Sequence, residues 1–197
     1  MSVDQREAPR PMRADARRNR DAILQAAREL FATDGVLASL DGIALRAGVG
    51  NATLYRNFPT RDDLLAAVMA VDLDEAVTEA EALAREQSPR VAFAEWLVRL
   101  TWQLRIWHDL PHCVAEASTV SGSSMNPAVS MLVRQTGDLL DRAKAAGAAL
   151  PTIDANEVFE LVTALSWAVD RFGDDEAAAR RRVEVATAGL FCRDQQP

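Results

Sequence analysis

The chain has 197 residues, of which 49% are hydrophobic, 26% charged and 6% aromatic, with a formal net charge of −7. That length supports a sizeable core in one large or two small domains. No apolar run reaches the ~20 residues that a bilayer-crossing helix needs, and the start, MSVDQREAPRPMRADARRNR, lacks the apolar segment of a secretory signal, so neither membrane insertion nor export is expected.

Alanine is abundant, and Gly and Pro fall mostly between periodic segments, which predicts an all-α protein of about nine helices. Residues 1–14 read as a disordered basic arm. The first helix runs from near Asp15 to Ala32 and stops at Asp34-Gly35. Its inward face is Ile23, Ala26, Ala27, Leu30 and Phe31. Ser39 caps a second helix whose buried face is Leu40, Ile43, Ala44 and Ala47. Gly48 supplies the left-handed residue that ends it, and Val49 plugs the turn. Gly50 or Asn51 then opens a third helix with Leu54 and Phe58 inside. Asn51, Ala52, Thr53, Tyr55, Arg56 and Asn57 are left to face outward.

Pro59-Thr60 breaks the chain, and Thr60 with Asp63 predicts a capping box for a fourth helix starting near Arg61. This helix extends to Arg85 or Gln87 and links a small domain, 15–60, to a larger one, 61–197. Ser88-Pro89 starts the fifth helix, which continues to about Trp107. A short sixth helix spans His112 to Ala117. The most loop-like stretch, 120–126, precedes a seventh that opens at Asn126-Pro127 and ends at Ala146-Gly147. The eighth runs from about Asp154 to Phe172, and after Gly173-Asp174 the ninth continues to about Phe191.

Two short helices around a Gly turn, the second showing amide, hydroxyl, phenol and guanidinium groups, suit base edges and phosphates. The residues ILQAARELFATDG and IALRAGVGNATLYRNFPTRDDLLAAV carry a resemblance to the tetracycline-repressor (TetR) family of transcriptional regulators, over about Asn19 to Met69. The run AGVxxxTLYxxFxxRxxLL is its most specific part. The family often has Ser then Lys after the turn valine, where this chain has Gly50 and Asn51, so a phosphate-seeking cation is absent there.

The resemblance implies a three-helix helix-turn-helix domain that binds a palindromic DNA operator. It implies a larger helical domain that binds a small-molecule inducer and forms a homodimer. The residues expected on DNA are Thr53, Tyr55 and Arg56, with Asn51 beside them, and Ser39 and Arg61 at helix starts. The net charge looks wrong for a DNA binder but is unevenly spread. Residues 1–65 hold ten Arg against nine Asp and Glu, and between Arg10 and Arg20 five Arg face Asp15 alone. A polyanion senses that local patch over a Debye length of about 8 Å. The resemblance implies that such an arm, with Arg17 and Arg18, follows the DNA backbone or enters the minor groove.

Phe93, Trp96, Leu97, Leu100, Leu104 and Trp107 form an apolar stripe on the fifth helix, with Gln103 at its edge. Phe93, Trp96, Leu100, Gln103 and Trp107 are therefore the candidate ligand wall: apolar, with one orienting amide. An ordinary core stripe is the competing explanation. Helices eight and nine carry apolar residues on more than one face. Val158, Leu161, Leu165, Val169, Val183, Ala186 and Leu190 are the candidate interface of a two-fold four-helix bundle.

His108, Asp109, His112 and Cys113 have metal-ligand chemistry, although Pro111 disfavours a shared helical face for the two histidines. A metal-dependent protein, or a helical interaction module without DNA binding, are the alternatives to a regulator. No GxxxxGK[ST], GxGxxG or nucleophile elbow is present, so neither a cofactor nor an enzyme is expected. Cys113 and Cys192 are far apart and need no disulfide, which suits a reducing cytoplasm.

Overall fold

The computed structural model describes residues 10–105, 109–119 and 122–192. These form nine α-helices: α1 Arg10–Asp34, α2 Leu40–Arg46, α3 Asn51–Asn57, α4 Arg61–Glu86, α5 Pro89–Leu104, α6 Leu110–Thr119, α7 Asn126–Ala145, α8 Ala155–Phe172 and α9 Glu176–Thr187. A 3-10 turn, Ala188–Leu190, follows α9. The all-α architecture expected from composition is the one observed. None of these helices is long and apolar enough to cross a membrane.

Local chemistry explains most helix ends. The Ser39 oxygen accepts from the Gly42 N–H at the start of α2. Thr60 and Asp63 make the reciprocal bonds of a capping box at α4, and Asp154 and Glu157 do so at α8. Some boundaries differ from expectation. α1 begins at Arg10 rather than near Asp15, so part of the predicted arm is helical; residues 1–9 lie outside the described residues. α6 is longer than predicted, with Pro111 tolerated in its first turn. Ser88 makes no side-chain cap bond, leaving Pro89 as the start signal of α5. α9 stops at Thr187 because the chain tightens into the 3-10 turn.

α1 packs on α2, α3 and α4, which makes a small unit over the first part of the chain. α5 is the central helix of the larger part, covered by α4, α7, α8 and α9. Its buried residues therefore cover a broad arc, with Val91 exposed and Glu95, Arg99 and Trp102 half-buried on the remaining side. α6 lies against α7 and α8. The chain end folds back on the α7–α8 connector, where Cys192 N–H donates to Ala148 O at 3.0 Å and Leu150 N–H to Leu190 O at 2.9 Å.

Candidate functional site

The α2–α3 turn rests on Gly48, whose φ of +68° is a conformation other residues adopt only with strain. It lets the Val49 N–H reach Ala44 O at 3.0 Å, which aims α3 away from α2. Leu54 and Phe58 are buried behind α3, as expected. Asn51, Ala52, Tyr55 and Arg56 are exposed, and Thr53 and Asn57 are half-buried. The result is a short rigid helix with a phenol and a guanidinium on its free face. Arg56 Nη2 lies 3.4 Å from Thr53 Oγ1, so these two are neighbours on that face.

Other candidates have work inside the protein. Asn51 Nδ2 donates to Asp41 Oδ1 at 2.8 Å and ties α3 to α2. Arg61, expected at a phosphate, is half-buried, and its Nη1 donates to Val36 O and Ala38 O at 2.7 Å each. It acts as a strut for the α1–α2 loop. Ser39 is exposed and its oxygen accepts from Gly42, which leaves the hydroxyl proton to donate. Arg17 and Arg18 are exposed on α1, beside Asp21 and Asp15. Such surface pairs are weak. The side chains of Arg10 and Arg13 lie outside the described residues.

Two features had no local sequence signal. The Arg20 guanidinium stands 4.6 Å over the Phe58 ring, clamping α1 to the end of α3. Arg46 Nε donates to Glu29 Oε2 at 2.6 Å, binding α2 to α1. Gln25 and then Arg46 hold the Glu29 carboxyl below its usual range by hydrogen bonding.

The expected ligand wall divides. Phe93 and Trp96 are buried and packed against other side chains. Phe93 lies against Phe191 with ring centroids 5.6 Å apart, and the Trp96 indole N–H donates to Thr136 Oγ1 at 3.0 Å. Leu100 and Gln103 do border a cavity of about 40 Å³, between α4, α5, α6 and α7. Trp107 lies outside the described residues.

The expected dimer set divides as well. Val158, Val169 and Val183 are buried within the single chain, so they cannot offer surface to a second copy. Leu161, Leu165 and Leu190 are half-buried, and Ala186 is exposed. The large apolar groups that stand out on these helices are Trp167 at 51% exposure, Phe172 at 68% and Val185 at 80%.

Among the described residues, no group of three His, Cys, Asp or Glu could hold a metal ion, and His108 lies outside them. Burial, followed by the Glu116 and Asp62 charges, pushes the Cys113 thiol up to about 11. The thiol therefore stays protonated at neutral pH and is a weak nucleophile. His112 Nε2 faces Glu116 Oε1 at 3.5 Å on the surface of α6.

Comparison with known proteins agrees with this geometry. Residues 88–192 match the family model described as "Transcriptional regulator SbtR-like, C-terminal domain", and residues 23–68 match "Bacterial regulatory proteins, tetR family". An HTH-type transcriptional regulator of Staphylococcus aureus (strain USA300) is 43% identical over 68 residues, which is 34% of this chain and 37% of the relative. The chain thus spans little more than a third of that curated relative's length. The crystal structure of a TetR transcriptional regulator from Streptomyces coelicolor is similar at 28% identity and a TM-score of 0.58, over 88% of this chain and 99% of that one. One from Mycobacterium vanbaalenii is similar at 27% identity and a TM-score of 0.53, over 92% and 100%.

Proposed function

The chain belongs to the TetR family of transcriptional regulators, and from that premise we propose that it is a ligand-responsive repressor released from a palindromic operator by a small molecule. The observation that carries this is α3: Tyr55 and Arg56 are exposed on a helix locked from behind by Leu54 and Phe58. Tyr55, Arg56 and the half-buried Thr53 are the groups for base edges and phosphates. Ser39, Arg17 and Arg18 add backbone contacts, while Asn51 and Arg61 serve mainly to hold α3 and its neighbours in place.

Two such helices are needed to span adjacent major grooves, about 34–36 Å apart. A homodimer through α8 and α9 supplies the second, with Trp167, Phe172 and Val185 joining Leu161, Leu165, Ala186 and Leu190 in the contact. The larger part of the chain takes the inducer beside Leu100 and Gln103. The inducer binds better to a state in which the two recognition helices are mis-spaced, and only that differential affinity shifts the equilibrium. The setting is cytoplasmic, and nothing in this scheme is catalytic.

An anisotropy titration of labelled operator across a salt series tests the scheme. Neutralising ~6–10 phosphates lowers affinity by ~10³–10⁵ between roughly 50 and 200 mM salt. Arg56→Ala should weaken binding and reduce the logarithmic salt slope by about 1. An unchanged affinity and slope would remove α3 from the interface.

A further inference from the structure

The 40 Å³ cavity has room for little more than one water, so a ligand enters it only by moving its walls. Those walls are mostly leucine, from Leu73 of α4, Leu100 and Leu104 of α5, and Leu132 of α7. Two polar groups join them. Gln103 is engaged away from the cavity, with its Nε2 donating to Glu79 Oε2 at 3.3 Å. Asp72 of α4 is the charged lining residue.

Asp72 is also the point where the cavity meets α1. Arg28 Nη2 donates to Asp72 Oδ1 at 3.3 Å and to Val68 O at 3.0 Å. Both acceptors lie on α4, one turn apart, so the cavity wall and the anchor of α1 are the same stretch of helix. The carboxylate is poorly compensated there. Burial raises its proton affinity above the usual range, Arg28 opposes this incompletely, and the Glu75 charge adds to the rise. A half-buried carboxylate with one long contact and an acidic neighbour gains most from a further positive charge.

Resting on the ligand-responsive reading above, we propose that the effector is an amphiphilic amine, whose apolar body fills the widened cavity and whose protonated nitrogen takes Asp72 from Arg28. Taking Asp72 removes one of the two bonds by which Arg28 holds α1 to α4, leaving the bond to Val68 O, and this loosening couples occupancy to the DNA-binding unit. An anionic amphiphile would meet the Asp72 carboxylate on the cavity wall, with the Glu75 charge near it, and be repelled. A neutral one fills the space without replacing the Arg28 charge.

Calorimetric titration of the full chain with n-octylammonium, 1-octanol and octanoate at neutral pH tests this. Octylammonium should bind at least about tenfold tighter than octanol, equivalent to about 1.4 kcal/mol, and octanoate weakest. Asp72→Asn should erase the preference for the amine while octanol binding persists. Arg28→Gln, which leaves Asp72 unpaired, should tighten octylammonium several-fold. Equal binding of amine and alcohol, a preference that survives Asp72→Asn, or octanoate binding tightest would overturn the amine and leave a ligand-responsive regulator standing. If none of the three binds, the cavity is lost as the effector site and the proposal falls, while the regulator reading, which rests on the family and on α3, stands apart from that result.

Discussion

The Ser123 hydroxyl donates to an Asp62 carboxylate oxygen at 2.7 Å, and Ser124 makes the neighbouring bond to Asp63. These bonds join the turn before α7 to the first turn of α4, immediately after the exposed helix α3. Asp63 also closes the capping box with Thr60, its Oδ2 accepting from the Thr60 N–H at 2.9 Å. Ser124 first, then Thr60, holds the Asp63 carboxyl below its usual range. The start of α4 is thus secured both by its own cap and by the larger part of the chain.

Replacing both hydroxyls, Ser123→Ala with Ser124→Ala, should loosen this junction without unfolding the chain. Each bond contributes on the order of 1 kcal/mol. Hydrogen exchange should speed up at residues 61–65 and 122–126 while exchange in α5 stays slow. Unchanged protection at the start of α4 would mean that the capping box alone holds it.

Exposed and buried positions on α8 and α9 should respond differently to charge. Trp167→Glu or Val185→Glu leaves the chain's own core intact but places a carboxylate in the proposed dimer contact. Light scattering should then report a folded monomer. Val169→Glu buries an unpaired charge inside the protomer, costs several kcal/mol and should unfold it. A folded dimer of Trp167→Glu and of Val185→Glu would move the interface elsewhere.

Glu95 and Arg180 join α5 to α9 through two bonds, of 2.5 and 3.0 Å. The Arg180 hydrogen bonds hold the Glu95 carboxyl below its usual range against a smaller effect of burial. A lowered folded value means that the pair's stabilisation is present above the unfolded value of about 4.3 and is lost as pH falls through the folded one. Both side chains are partly solvated, so the contribution is at most about 1 kcal/mol. Glu95→Gln should lower the urea midpoint at pH about 7, and the gap to the wild type should narrow as pH falls through the lowered folded value. A gap that stays constant would assign the loss to packing.

Gly48→Ala tests the turn. No atom lies within 4 Å of the added Cβ, so its cost is the left-handed backbone alone. A loss of about 1 kcal/mol in urea unfolding is expected. No loss would show that the turn relaxes to another conformation.

Helix ends were readable from sequence because their signals are local. Ser39, Gly48, Thr60 with Asp63, and Asp154 each act within four residues of themselves. The inward pair Leu54 and Phe58 followed from spacing on a short helix with one buried face. α5 and α8 defeated the same reasoning. A helix covered on several sides carries apolar residues on more than one face, and periodicity cannot say which of Val169 or Trp167 is buried within the chain and which is exposed. The bonds of Arg61 to Val36 and Ala38 left no local signal because these partners lie more than twenty residues away. The Arg28–Asp72 pair, 44 residues apart, left no mark in either local sequence.

The central claim is that α3 reads a specific operator as one half of a dimer. Sequencing the fragments that the full chain retains from genomic DNA measures this directly. An enriched inverted repeat, with half-site centres about 10 base pairs or a multiple apart and lost with Arg56→Ala, is the predicted result. Retention of fragments without any shared motif would contradict it.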